Sequence, residues 1–258
     1  INSDPVYFLD SIYLPQSSLY AISPQDIEYI EILKDASGTA RYGASAGNGV
    51  VLLHSKRGSS KHTTFTFDYY AGQQQVWKEP DLMTTGEFLS YFEKVKPDDP
   101  TFDTLETFYQ TDWMKMIFHK ATTENYHFSV SKGREKSNFY LSSGYYKQSA
   151  IIKELELKRL SFKINSDHII KPGLRIGQDL SLAYLHYKGL KEGCFLNDFY
   201  NPILGAMCML PFRPSSDSLL TWVSGEAGIT NPYDDVELAN NTRKNYLVFG
   251  NLNSQVRL

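Results

Sequence analysis

The sequence predicts a mixed fold, in which a small α/β unit over residues 1–58 is followed by antiparallel β-strands over residues 59–258. Three observations predict it. The first sixty residues combine short strand-like runs with a helix start. A stretch of small, polar and basic residues at 56–61 ends this pattern and indicates a domain boundary. Beyond it, apolar and polar residues alternate at period two. Aromatic residues make up 14% of the chain and Tyr (18) outnumbers Phe (15), which suits sheet surfaces.

The first unit contains several short elements. Ser23 followed by Pro24 indicates a helix start, with Ser as N-cap and Pro at the first helical position. Residues 27–34 fit both a helical face and a strand face, so their periodicity leaves the choice open. The other expected elements are a strand at 5–10, a helical turn at 35–43, a turn at 47–49 and a strand at 50–53.

The second unit alternates strongly but ambiguously. Leu160, Phe162 and Ile164 share one strand face, and the residues between them are polar. This pattern fits a transmembrane β-barrel, and it also fits a soluble antiparallel sheet with one wet face. The pattern alone favours the soluble sheet. The strand-like segments are 64–69, 126–131, 138–146, 160–165, 180–184 and 245–258.

Other segments of the second unit are not strand-like. A capping box begins at Thr84, with Glu87 three residues later, and a second amphipathic piece covers 112–118. The stretch from 189 to 243 is irregular and holds four prolines, and connections of that length are usually functional or disordered.

Composition excludes several classes of function. With 26 basic and 29 acidic residues the net charge is −3, so nothing indicates a nucleic-acid-binding face. Hydrophobic residues at 41% exclude a wholly disordered chain. The longest apolar run, 203–210, is far shorter than the roughly 20 residues of a spanning helix. Two cysteines, Cys194 and Cys208, favour two thiols over a disulfide framework.

No motif indicates an enzyme. Residues 43–47 match the G-x-S-x-G nucleophile elbow around Ser45, but the elbow needs a strand before the serine and a helix after it. Here a helical turn precedes Ser45 and a strand follows. The sequence has no H-E-x-x-H, no C-x-x-C and no calcium-loop pattern, so it predicts no metal site and no cofactor.

One set of residues is far more specific than these patterns. It comprises P-V-Y-F-L-D at 5–10, S-P-Q-D-I-E-Y-I-E-I-L-K-D-A-S at 23–37, A-R-Y-G at 40–43 and G-N-G-V-V at 47–51. This set resembles the C-terminal half of the plug domain of TonB-dependent outer-membrane receptors, in particular the SusC/RagA-type nutrient importers of Bacteroidetes. The resemblance implies a strand at 28–34. One departure is Ser11, where the family usually has Gly after the plug aspartate.

The resemblance implies a plug followed by the first strands of a larger transmembrane barrel. On this hypothesis residues 1–58 are the C-terminal part of the plug, residues 59–258 are the N-terminal part of the barrel with a long extracellular loop, and the chain is a fragment of a longer receptor. The plug signature residues, with a structural role, are Asp10, Asp26, Glu31, Lys34, Asp35, Tyr42, Gly43, Gly47, Asn48 and Gly49.

The implied function is TonB-dependent import of a glycan or peptide fragment across the bacterial outer membrane, with no covalent chemistry. The implied partners are a SusD-like surface lipoprotein, the TonB complex through a region absent from this chain, outer-membrane lipid and the substrate. We expect substrate contacts in the long segment between 189 and 243, at Phe195, Phe212, Arg213 and Trp222. The alternative function is a soluble β-rich extracellular glycan-binding module, and an enzyme comes third.

Overall fold

The chain builds two sheets of different size. The computed structural model describes residues 4–34, 40–58, 62–96, 110–189, 202–211, 231–237 and 241–256. The first part forms a four-stranded sheet, here called the small sheet, in the order β2-β1-β4-β3. The second part forms a six-stranded sheet, here called the wall sheet, in the order β10-β9-β8-β7-β6-β5. A mixed α/β unit followed by antiparallel strands is therefore confirmed.

The small sheet is mixed in direction. β1 runs parallel to β4 and antiparallel to β2, while β3 pairs antiparallel with β4. Residues 27–33 are thus a strand, which pairs with β4 from Ile27 opposite Ser55 to Leu33 opposite Val50. Its strands are β1 (Val6–Leu9), β2 (Ile12–Leu14), β3 (Ile27–Leu33) and β4 (Val50–Ser55).

The helix start at Ser23 produces only a 3-10 turn, Pro24–Asp26. The Ser23 hydroxyl donates to Gln25 Oε1 at 2.8 Å rather than capping the backbone. The amide of Ile27 then bonds to the carbonyl of Pro24, and the chain continues directly into β3. Pairing with β4 overrides the local helical signal. Other 3-10 turns cover Gln16–Ala21, Ala40–Tyr42 and Ala44–Asn48.

Positive φ angles mark the tight turns. Gly43 (φ 86°) and Gly49 (φ 101°) flank the last 3-10 turn before β4, and both angles lie in the region that glycine adopts without steric cost. Asp10 (φ 47°) and Ser11 (φ 74°) form the turn between β1 and β2. Ser11 therefore adopts the left-handed conformation that a glycine takes without steric cost.

The wall sheet is an antiparallel meander. Two-residue turns join β6 to β7 and β8 to β9, whereas the connections from β5 to β6 and from β9 to β10 are long and lie at the opposite end. Hairpin joins of this kind fix antiparallel order. The strands are β5 (Thr64–Gln74), β6 (Ala121–Arg134), β7 (Ser137–Ser149), β8 (Glu156–Lys171), β9 (Leu174–Gly189) and β10 (Asn241–Val256).

The wall sheet has one polar and one apolar face. The polar face lies against the small sheet and is buried there, while the apolar face points away from it. A single cross-strand row on the apolar face carries five tyrosines and one leucine in register. In the order β5 to β10 these are Tyr69, Tyr126, Tyr145, Leu160, Tyr184 and Tyr246.

Short helices lie in the long connections. The capping box at Thr84 and Glu87 is present and begins α1 (Thr85–Val95). The remaining helices are α2 (Trp113–Ile117), α3 (Pro202–Cys208) and α4 (Pro232–Glu237), which share an apolar cluster around Trp113. Within the described ranges, every helix is too short or too polar to cross a lipid bilayer.

Candidate functional site

The contact between the small sheet and the wall sheet is the candidate site, and its best-defined part is a pocket for Asp26. Asp26 leaves the small sheet at the end of the Pro24–Asp26 turn and is 4% exposed. Its Oδ1 lies 2.9 Å from Nε2 of His127 on β6 and accepts a 2.9 Å bond from the Tyr140 hydroxyl on β7. One carboxylate of the small-sheet unit is thus held by two wall side chains.

The electrostatics of this pocket favour the charged carboxylate. Burial by itself raises the pKa of Asp26, but the hydrogen bond and charge of His127 and the hydrogen bond of Tyr140 outweigh it, so the pKa lies below its ordinary value of 3.8. The other ring nitrogen of His127 lies 3.6 Å from Oδ2 of Asp68 on β5. His127 therefore sits between a buried carboxylate and a half-exposed one.

A wall arginine holds the neighbouring part of the small-sheet unit. Arg159 on β8 donates from Nη1 to the carbonyl oxygens of Tyr20 at 3.1 Å and Ile22 at 2.7 Å. These carbonyls lie at the end of the Gln16–Ala21 turn, where backbone acceptors lack partners within the turn. The guanidinium also lies 5.1 Å from the centre of the Tyr146 ring, a cation–π distance.

A second polar group surrounds Asp10. Its Oδ1 accepts from the Ser55 amide at 2.9 Å, and its Oδ2 contacts the Ser55 hydroxyl and lies 3.4 Å from Nζ of Lys163 on β8. Asn165, two residues further along β8, donates to the Ser55 hydroxyl at 2.8 Å and to the carbonyl of Lys56 at 2.9 Å. The ends of β1 and β4 are thereby tied to one wall strand.

The segment that follows β4 is anchored by an arginine. Arg57 donates to Asp167 at 2.9 Å and to both carboxylate oxygens of Asp179, at 3.1 and 3.2 Å. Arg175 also pairs with Asp167, at 3.2 Å. Burial lowers the pKa of Arg57, but the charges of Asp179 and Asp167 raise it by more. The pKa therefore lies above its ordinary value, and the guanidinium stays positively charged.

Glycine allows the closest backbone approach in this interface. A Cβ placed on Gly58 comes within 2.3 Å of the carbonyl oxygens of Lys132 and Phe139. The chain therefore leaves the small sheet by passing directly over the β6–β7 hairpin, where no larger residue fits without movement. At Gly144 on β7 a Cβ comes within 2.8 Å of the Ser161 hydroxyl and 3.8 Å of the Ser23 hydroxyl.

The structure separates the sequence-predicted residues into three groups. Asp10 and Asp26 face the wall sheet, as described above. Tyr42 packs on Phe8 with ring centres 4.9 Å apart, and Gly43, Gly47, Asn48 and Gly49 form the turns before β4. Glu31 lies on the exposed side of β3, 3.6 Å from His54, and Lys34 is exposed at its end. Asp35 and the four expected substrate contacts, Phe195, Phe212, Arg213 and Trp222, lie outside the described residues.

Sequence reasoning missed the wall side of the site. On the wall, His127, Tyr140 and Arg159 carry much of the interface, and none was singled out as functional. Arg57, on the segment after β4, was missed as well. The signal that could have found them is the polar face of each alternating strand. On β8, for example, the sequence places Lys163 and Asn165 on the face opposite Leu160. Alternation identifies such a face but does not identify its partner.

The arrangement can hold the small sheet against the wall sheet. Its contacts are directional hydrogen bonds and charge pairs across two surfaces that are both polar. Such surfaces can separate and be hydrated again without exposing a large apolar area. Apolar contacts also cross the interface. Phe249 on β10 packs against the small sheet's core of Leu9, Leu14 and Leu53, and Ala21 packs with Ala183 and Leu185 of β9.

Comparison with known proteins points in one direction. The family model of the TonB-dependent receptor plug domain matches residues 2–50. The TonB-dependent receptor P26 of Formosa agariphila is 26% identical over 251 residues, covering 91% of this chain and 23% of the relative. The TonB-dependent receptor SusC of Bacteroides thetaiotaomicron is 27% identical over 172 residues, covering 64% of this chain and 17% of the relative.

The fold has a solved counterpart. The structure of the RagAB peptide transporter superposes with a TM-score of 0.76 at 23% identity and covers 99% of this chain and 33% of that chain. The chain spans less than a quarter of the length of the two curated relatives. Plug motif, wall sheet and relatives agree: residues 2–50 carry the motif of the TonB-dependent receptor plug domain, and the chain is similar to the SusC/RagA-type TonB-dependent receptors of the bacterial outer membrane.

Proposed function

We propose that this chain is part of an importer that carries a nutrient, a glycan or peptide fragment, across the outer membrane by a TonB-dependent step. The observation that carries the proposal is a small mixed sheet held by polar contacts on the inner face of a wall whose outer face is apolar. A plug must block a pore and still be displaceable, and polar contacts such as Asp26 with His127 meet both needs. Transport of this kind requires no covalent chemistry, so we propose a transporter rather than an enzyme.

The proposed division of labour follows the two sheets. Residues 1–58 act as plug and residues 59–258 as barrel wall, with Gly58 at the passage between them. The proposed partners are a SusD-like surface lipoprotein on the outer side and the TonB complex on the inner side. The relatives support these partners by name, since one is SusC and one solved structure is the RagAB peptide transporter. Substrate contacts at Phe195, Phe212, Arg213 and Trp222 remain a prediction.

A tether between plug and wall tests this proposal. In the full-length receptor, with its native cysteines replaced by serine, Ser23→Cys and Gly144→Cys place two thiols across the interface, because a Cβ on Gly144 lies 3.8 Å from the Ser23 hydroxyl. Both this receptor and its control carry Ser161→Ala, because the Ser161 hydroxyl lies 2.8 Å from that Cβ. We expect oxidation to abolish nutrient uptake by cells and reduction to restore it, because a tethered plug cannot be displaced.

The control is a tether within the wall. Thr123→Cys and Gln148→Cys face each other on β6 and β7 and leave the small sheet free. Uptake should then be the same in oxidised and reduced cells. Uptake that persists with the oxidised Ser23–Gly144 pair contradicts a displaceable plug. A protein that binds a glycan in every state but supports no uptake is instead the binding module of the alternative function.

A further inference from the structure

The connections at the end of the wall sheet opposite the short turns enclose a cavity of about 840 Å³. Three segments that are distant in sequence line it: residues 79–88, 110–115 and 207–211. Direct bonds hold these segments together, from the Thr85 amide to Gln110, from the Thr111 amide to Pro211 and from the Trp113 indole to Leu210. The cavity is therefore preformed, as ligand sites usually are.

The apolar part of the lining is rich in methionine. Four of the chain's five methionines line this cavity, and they come from all three segments. Methionine is unbranched and polarizable, so it adapts to apolar groups of different shapes and is frequent at binding surfaces of broad specificity. Sugar rings are instead met by flat, exposed aromatic faces. Of the two aromatic side chains in this lining, Trp113 is only 2% exposed and Phe88 is partly buried and stacked on Phe92. The methionines are Met83, Met114, Met207 and Met209.

The charged lining is acidic. Three carboxylates, Glu79, Asp81 and Asp112, face a single ammonium group, Lys115. Lys115 already pairs with Asp112 at 2.6 Å, and that bond, together with the charge of Glu79, raises the pKa of Lys115. The lining thus keeps an excess of two negative charges, which favours a positively charged occupant.

We propose that this cavity is a subsite for a short peptide that presents an apolar side chain beside a positive charge. This inference rests on the proposed import function and narrows its substrate from glycan or peptide to peptide. Met83 and Met207, which are 50% and 44% exposed, receive the apolar side chain, and Glu79 and Asp81 receive an amino or guanidinium group. A carbohydrate offers neither feature.

Cys208 supplies a direct readout, because it is an exposed free thiol in the cavity lining. In the full-length receptor with Cys194→Ser, the rate of Cys208 alkylation by a maleimide is measured with and without a C-terminally amidated tetrapeptide of leucine and lysine. We expect the peptide to slow alkylation saturably. The same peptide with every amino group acetylated should protect at about tenfold higher concentration, because its charge is lost. Maltoheptaose should not protect.

Variants separate the two parts of the subsite. Glu79→Gln together with Asp81→Asn should weaken the basic peptide about tenfold and leave the acetylated one unchanged. Met207→Gln should weaken both peptides. Glu93→Gln on the outer side of α1, which does not line the cavity, should change neither. Protection by maltoheptaose but not by the peptide, or equal protection in all variants, overturns the inference.

A measurement of nutrient uptake by cells distinguishes failure of the peptide subsite from failure of the proposed import function. Cells that import a nutrient in a TonB-dependent way while the peptide leaves Cys208 unprotected keep the importer and lose the peptide subsite. Saturable protection by the peptide without any uptake supports the subsite and contradicts import.

Discussion

The two faces of the wall sheet invert the usual rule of protein interiors. On β8, Leu160 is 52% exposed, whereas its neighbour Ser161 is 6% exposed, and Lys163 and Asn165 on the same inner face are also buried. Water-soluble proteins bury apolar side chains and expose charged ones. Here the buried face is polar and the exposed face is apolar.

The difference shows what each face contacts. An apolar exterior with a row of tyrosines is stable where lipid replaces water, and tyrosine rows mark the interfaces of membrane barrels. The polar interior is stable because the small sheet supplies matching charges, such as Asp26 for His127 and Asp10 for Lys163. The stability of the outer face therefore depends on the surrounding lipid, and the stability of the inner face depends on specific partner residues of the small-sheet unit.

The largest expected effect is the loss of an inner-face partner. Asp26→Ala leaves His127 and the Tyr140 hydroxyl buried without their acceptor, and breaking a buried pair from one side costs about 3–5 kcal/mol. We expect hydrogen exchange of the β1 and β4 amides in the full-length receptor to report a lower opening free energy by that amount.

The matched control removes the exposed carboxylate on the other side of the same histidine. Asp68 is half exposed and lies 3.6 Å from His127, so Asp68→Ala should cost about 1 kcal/mol or less. Equal effects of Asp26→Ala and Asp68→Ala are incompatible with a buried plug-to-wall contact.

A charge on the outer face should have the next largest effect. Phe162 lies in the middle of β8, between Ser143 and Leu182, on the apolar face. Phe162→Arg should destabilise the receptor in a bilayer by about 2–4 kcal/mol, measured by reversible unfolding in lipid vesicles. Ser161 is a poor comparison because it packs against Gly144, so the control is Thr122→Arg near the end of β6, where the cost should be about 0–1 kcal/mol. Similar costs at both depths argue for a soluble sheet.

Close packing at the edge of the inner face gives a smaller effect. Gly58→Ala forces backbone movement, since its Cβ meets two carbonyl oxygens at 2.3 Å, and overpacking of this kind costs about 1–3 kcal/mol. Gly72→Ala on β5 is the control, because nothing lies within 4 Å of its added Cβ. Thermal unfolding of the two receptors should therefore differ, and a Gly58→Ala protein as stable as the Gly72→Ala protein contradicts this packing.

Acid should have the smallest of these effects, and it acts on the inner face through the Asp26 carboxylate. The pKa of Asp26 is lower in the folded protein than its ordinary 3.8, so its stabilisation is complete above pH 3.8 and is lost as the pH falls through the lower folded value. After correction for the intrinsic pH dependence of exchange, the opening free energy of the β1 and β4 amides should be independent of Asp26 from pH 5 to 7 and should fall only below about pH 4. Asp26→Asn should remove this acid step, and an unchanged step in Asp26→Asn assigns it to another carboxyl.

The sequence alone determined the elements that depend on neighbouring residues. The capping box at Thr84, the turn glycines Gly43 and Gly49 and the alternating strands all follow from local rules of backbone and side-chain geometry. The family motif added the strand at 27–33, which periodicity had left open.

Only the tertiary structure decided the partners. Asp26 and His127 are 101 residues apart, and nothing in either local sequence indicates that they meet. Pattern alone also favours a soluble sheet, and that preference is wrong for an outer-membrane receptor. The physical reason is that alternation states which side chains share a face. Whether lipid, water or another part of the protein covers that face depends on contacts distant along the chain.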